Sequence, residues 1–162
     1  RLEPENNIEV ILDGIVKANT SREFLVVGKH ETKFGSYLKT KFKDYDKIRF
    51  LGGIYDIEHL NNLRYYSNLY FHGHSVGGTN PSLLEAMASN SLIVANDNIF
   101  NKSILGEDAF YFESEVDIVE RSSIKKQDNL DIILANNIKI KGEFSWKTIN
   151  EKYENYLLKT LK

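Results

Sequence analysis

Three short apolar runs each stop at a glycine: Phe24-Leu25-Val26-Val27-Gly28, Ile48-Arg49-Phe50-Leu51-Gly52 and Leu69-Tyr70-Phe71-His72-Gly73. Runs of this length, rich in β-branched and aromatic residues, are expected of strands buried on both faces, with glycine where the chain must turn out of the sheet. Segments of helical period lie between them. Ile8, Ile11, Leu12, Ile15 and Val16 mark one helix face, Tyr37, Leu38 and Phe42 a second, and Ile57, Leu60, Leu63 and Tyr66 a third. A fourth helix is expected over 81–89, followed by strands at 92–95 and 109–112. Such alternation predicts an α/β fold: a Rossmann-like parallel sheet with helices on both faces, binding its ligand outside the carboxyl ends of the strands. Gly28, Gly52 and Gly73 all fall at those ends.

The last third reads differently, with helices expected at 129–137 and 148–161 and a linking segment over 138–146. Trp146, Tyr153 and Tyr156 have the spacing of core residues in a terminal helix. The asparagine pairs and Lys125-Lys126 read as solvated loops. With 162 residues, 41% of them hydrophobic, a single domain over 1–162 accounts for the chain. A formal net charge of -2 gives no footprint for nucleic acid, and no segment has the continuity of a transmembrane span. Cysteine is absent, which fits a reducing, cytoplasmic setting. The chain opens at Arg1 and not at Met, so a piece excised from a longer protein is expected.

The chemistry concentrates in His72-Gly73-His74-Ser75-Val76-Gly77-Gly78-Thr79-Asn80-Pro81-Ser82-Leu83-Leu84-Glu85-Ala86-Met87-Ala88. Here a strand passes through a glycine-bearing turn into a helix that Asn80 can cap and Pro81 can start. Unpaired N–H groups at a helix start attract phosphate. Glu85, one turn in, can accept hydrogen bonds from ribose hydroxyls, so the stretch suggests a nucleotide-sugar site. Without the surrounding motif Glu85 would read first as an ordinary exposed helix glutamate; the motif reverses that. His72 and His74 are expected on different sides of the strand end, with His74 toward the ligand. The four histidines, scattered and without cysteine, make no case for metal. Asp44-Tyr45-Asp46, flanked by Lys43 and Lys47, reads as a solvated turn.

These residues resemble the C-terminal, donor-binding domain of GT-B glycosyltransferases of the family 4 type. The similarity runs through Arg1-Leu2-Glu3-Pro4-Glu5-Asn6-Asn7, the strand ending at Gly28, Phe50-Leu51-Gly52, and the stretch from Gly78 to Ala88. A bacterial subgroup described as rhamnosyltransferases is more similar still, sharing Gly-His-Ser-Val-Gly-Gly-Thr-Asn-Pro-Ser-Leu-Leu-Glu-Ala-Met and a segment like Asn96-Asp97-Asn98-Ile99-Phe100-Asn101. The resemblance implies a retaining, metal-independent enzyme of surface polysaccharide synthesis, without a cofactor, whose N-terminal acceptor domain lies outside this chain. It implies a glycan or lipid-linked acceptor and a cytoplasmic location, with peripheral attachment at the inner membrane face. The isolated domain is then expected to be inactive.

By position, the resemblance assigns the ribose to Glu85 and the diphosphate to Arg1 and the backbone N–H groups of Ser82, Leu83 and Leu84. It assigns the donor sugar to the loop of His74, Gly77, Gly78, Thr79 and Asn80, and the nucleobase to the turn Gly52, Gly53, Ile54 and Tyr55. Two positions depart from the family pattern. Gly77 stands where relatives carry the first glutamate of Glu-x7-Glu, and Asn6 stands where they carry a phosphate-binding lysine, a charge that Lys29 can partly replace. A lost carboxylate suits a 6-deoxy sugar such as rhamnose. The alternative is a non-catalytic nucleotide-binding or regulatory Rossmann-like module, although a phosphate-switched receiver would want acidic residues clustered at the strand ends.

Overall fold

The computed structural model describes residues 1–160, in which five parallel strands alternate with helices, as the periodicity predicts. β1 (Phe24–Val27) pairs with β2 (Ile48–Gly52), and β3 (Tyr70–His72), β4 (Ile93–Asn96) and β5 (Phe110–Phe112) form a second ladder in that order. The expected single sheet is therefore two hydrogen-bonded ladders. They meet through side chains, with the rings of Phe24 in β1 and Phe71 in β3 5.6 Å apart.

Helix α1 (Ile8–Ala18) spans both ladders. Its Leu12 is buried with Val26, Leu38, Phe42 and Ile48, the core around β1, β2 and α2 (Lys33–Lys41), while Ile11 and Ile15 pack on Val94, Phe112 and Ile118. Strand β4 shows why helices cover both faces. Val94 points to the α1 side, whereas Ile93 and Ala95 point the other way, onto Leu83, Ala86 and Met87 of α4 (Pro81–Ala88) and Ile104 and Leu105 of α5 (Ile99–Leu105). Fully buried leucines such as Leu12, Leu38 and Leu83 each contribute about 2 kcal/mol of transfer free energy.

The first seven residues lie across the carboxyl ends of β1 and β3. Leu2, 2% exposed, donates its N–H to the Lys29 carbonyl at 2.9 Å, and its own carbonyl accepts from Thr32 Oγ1 at 2.8 Å. After a 3₁₀ turn over Pro4–Asn6, Asn7 Nδ2 donates to the Gly73 carbonyl at 2.9 Å, and the N–H and hydroxyl of Ser75 both donate to the Glu5 carbonyl. Gly73 sits so close that a Cβ there would stand 1.9 Å from the Asn6 carbonyl oxygen.

Several expectations are corrected. Helix α3 (Ile57–Tyr66) leaves Ile57 and Tyr66 exposed and buries Arg64. The segment expected to link two helices is absorbed by α7 (Leu130–Gly142) as far as Gly142, and Asn136, of an asparagine pair expected to be solvated, is buried and donates to the Asp108 carbonyl at 2.7 Å. Helix α8 (Trp146–Thr160) buries no residue; Trp146 is 82% exposed and Tyr153 and Tyr156 are exposed too. A helical stripe fixes which residues share a face but not whether anything covers it. The expected last helix reached residue 161, outside the described residues. Two short helices were not expected, α5 and α6 (Glu115–Arg121), although Asn98 caps the first and a Ser114/Asp117 capping box opens the second. Asp44-Tyr45-Asp46 lies in an exposed turn, as the sequence predicts.

Gly73→Ala should push the Pro4–Asn6 turn off the β3 end, because the clash is with backbone that cannot rotate away. A loss of about 2 kcal/mol or more is expected in urea unfolding. An unchanged midpoint would contradict the close approach.

Candidate functional site

The loop from β3 to α4 runs from Gly73 to Asn80 at the carboxyl end of β3. Asn80 is extended (φ -91, ψ 123), and its Oδ1 accepts from the backbone N–H of Ser82 at 2.9 Å and from its hydroxyl at 2.7 Å. The Asn80 carbonyl accepts from the N–H groups of Leu83 and Leu84 at 3.0 and 3.3 Å. All three N–H groups that the sequence offered to phosphate thus already have acceptors: a well-capped helix consumes its own donors. Among the described residues, the N–H groups of Gly77, Gly78 and Thr79 have no acceptor. Chain neighbours aside, no atom of the described residues approaches within 4 Å of where a Cβ would stand on Gly77 or Gly78, and Gly77 holds φ at +92, where any other residue is strained.

Glu85, half-exposed on α4, is gripped from below. Its Oε2 accepts from Arg64 Nη2 at 2.6 Å, and Arg64, 5% exposed, also donates from Nη1 to Asn61 Oδ1 at 3.0 Å. The guanidinium fork fixes one carboxylate oxygen and leaves the other to solvent. Arg64 went unnoticed in the sequence. Its signal was a charge four residues after Leu60, on the face expected to be apolar.

Tyr70, His72 and His74 form a column beside this pair. The ring of His72 stacks on Tyr70 (centroids 6.3 Å apart, planes at 19°) and on His74 (5.8 Å, 24°). The two histidines were expected on different sides; residues two apart share a strand face, so they stack. Burial pushes the Tyr70 phenol up, opposed by the Arg64 charge and the Ser82 hydroxyl. His72 is 4% exposed, its Nε2 has no partner among the described residues, and burial, assisted by His74, holds its pKa at about 4. His74 Nδ1 lies 2.7 Å from Asn6 Nδ2, and its carbonyl accepts from Asn98 and Asn101 side-chain amides at 2.9 and 3.1 Å.

Arg1 is exposed beside the anchored Leu2. At the end of β2, Gly52 takes φ +75, Ile54 is half-buried, and the exposed Tyr55 folds its ring toward Gly53, with Lys29 Nζ 5.7 Å from the ring centroid. Among the described residues no three His, Cys, Asp or Glu side chains are placed to hold a metal ion, and no helix is long and apolar enough to cross a membrane.

No protein-family model matches the sequence, and comparison with curated proteins finds no match either. Solved structures do match. HepE of Anabaena in complex with UDP superposes with a TM-score of 0.81 at 18% identity, over 98% of this chain and 47% of that one. The C-terminal domain of LpcC, a group 1 glycosyl transferase family protein of Francisella tularensis, gives 0.75 at 15% identity over 90% of this chain and 83% of that one. The pneumococcal O-GlcNAc transferase GtfA, in complex with UDP and GlcNAc, gives 0.71 at 17% identity over 99% and 34%. The chain therefore has the Rossmann-like fold of a GT-B C-terminal domain. It spans about half the length of HepE, at 47%.

Two measurements check this geometry. The unfolded chain binds a proton on His72 near 6.5, whereas the folded chain does so only at about 4. Stability is then fully present above about pH 6.5 and falls by up to about 3 kcal/mol toward pH 4. Urea midpoints at pH 7 and 4.5 should show this, and His72→Gln should flatten the profile. Separately, Arg64→Ala should cost about 2–3 kcal/mol, since it removes a buried guanidinium while Glu85 regains water. Loss below 0.5 kcal/mol would mean the pair is incidental.

Proposed function

We propose that this chain is the donor-binding half of a retaining glycosyltransferase, which takes a sugar from a nucleoside diphosphate-sugar and passes it to a glycan or lipid-linked acceptor held by a second, N-terminal domain. The observation that carries this reading is Glu85, one turn into α4 and fixed through one oxygen by Arg64 of α3, beside a loop whose N–H groups at Gly77, Gly78 and Thr79 lack acceptors among the described residues. The free carboxylate oxygen accepts from the ribose hydroxyls. The loop N–H groups face the diphosphate, whose negative charge grows as the glycosidic bond breaks, and positioned donors there lower the barrier without a metal. Arg1 adds a cation, Ser82, Leu83 and Leu84 contribute the positive end of α4, and the turn from Gly52 to Tyr55 borders the nucleobase. The UDP complexes of HepE and GtfA, which share the fold, support a nucleotide at this domain.

Gly77 leaves the sugar loop without a carboxylate, which suits a 6-deoxy sugar, and rhamnose is the proposed donor sugar. Bacterial surface polysaccharide is the proposed product and the inner membrane face the place of work. Catalytic contacts from the second domain are needed for turnover, so the chain by itself binds donor weakly and transfers nothing.

Isothermal titration with UDP, dTDP and GDP in the absence of metal tests the reading. One diphosphate should bind saturably, and Glu85→Ala should weaken it about tenfold or more, the worth of hydrogen bonds to a charged group. Undiminished binding by Glu85→Ala, or no binding at millimolar ligand, would overturn it.

A further inference from the structure

The contact between Asn6 and His74 has a direction. Asn6 Oδ1 accepts from the backbone N–H of Glu3 at 3.2 Å, which orients the amide and turns its Nδ2 toward His74 Nδ1, 2.7 Å away. An amide nitrogen only donates, so Nδ1 must accept, and the ring proton of a neutral imidazole then sits on Nε2. Stacking on the buried His72 and the two amides on the His74 carbonyl hold the ring and its backbone in place. His74 is partly exposed at the foot of the open loop.

We propose that Asn6 is a positioning residue that fixes His74 as the Nε2–H tautomer, so that the site presents a neutral hydrogen-bond donor to an acceptor oxygen of the glycosyl diphosphate, on its distal phosphoryl group or its sugar. This rests on the donor-site reading. Asn6 lies 68 positions from His74 in sequence and touches the ligand only through it. Its role is to choose which ring nitrogen carries the proton.

Nitrogen-15 spectra of the imidazole rings in this chain read the tautomer directly, with no ligand and no substitution, and should show the proton on Nε2. Asn6→Asp keeps an oxygen for the Glu3 N–H but replaces the Nδ2 donor by an acceptor. At a pH where the spectrum shows a single ring proton, that proton should move to Nδ1. At the same pH, affinity should fall about tenfold for dTDP and dTDP-rhamnose alike, or for UDP and UDP-glucose alike, if the acceptor is phosphoryl. It should fall for the sugar nucleotide alone if the acceptor is on the sugar. An added carboxylate also repels the diphosphate, so the cycle is closed with His74→Phe, in which Asn6→Asp should lose most of its effect. A wild-type proton on Nδ1, or an equal loss in the His74→Phe background, would overturn the proposal. A chain with the Nε2 proton that binds none of the four nucleotides would defeat the donor-site reading, and the ligand half of the proposal with it. Ligand binding with the proton on Nδ1 would defeat this proposal alone.

Discussion

Everything at the candidate site depends on the approach of two backbones, the Pro4–Asn6 turn against Gly73. The strands form two ladders, β1-β2 and β3-β4-β5, so among the described residues no strand hydrogen bond ties one to the other. Union is left to side chains such as Phe24 against Phe71, to α1, whose Leu12 and Ile11 serve different cores, and to the first seven residues, pinned at Lys29 on one side and at Gly73 and Ser75 on the other. With a Cβ distance of 1.9 Å to the Asn6 carbonyl, only glycine at 73 permits the seam to close. Closure also delivers Asn6 to His74. The same approach that joins the ladders therefore sets the polar contact at the foot of the loop.

Polar groups beneath the site are satisfied in a particular order. Arg64 is taken out of water, which is costly for an ion, and is compensated by Glu85 and Asn61. Asn80 uses its side chain and its carbonyl to hold the N–H groups of Ser82, Leu83 and Leu84, while those of Gly77, Gly78 and Thr79 have no acceptor among the described residues. His72 Nε2 goes without a partner among the described residues, and the ring avoids a buried charge by staying neutral. A capped helix start and an open loop are thus adjacent.

Helix α8 presents the opposite situation. Its aromatic residues Trp146, Tyr153 and Tyr156 have helical spacing and yet are exposed. Spacing alone led to a core assignment because an amphipathic period is the same whether the apolar stripe meets this domain or another surface. Arg64 failed to register for the converse reason. A single charge in an apolar stripe looks like noise until the carboxylate 21 positions away is seen beside it.

What the sequence determined by itself was local and periodic: the glycine-ended strands β1, β2 and β3, the face of α1, and the Asn80-Pro81 start that places Glu85 one turn into its helix. Such features follow from backbone sterics and from burial repeated at fixed intervals, both of which act between near neighbours. Tertiary structure alone decided that Arg64 meets Glu85, that Asn6 meets His74, that His72 and His74 stack, and that the strands divide into two ladders. Those outcomes depend on distances between residues far apart in the chain, and the packed core, not the pattern of any one segment, sets such distances.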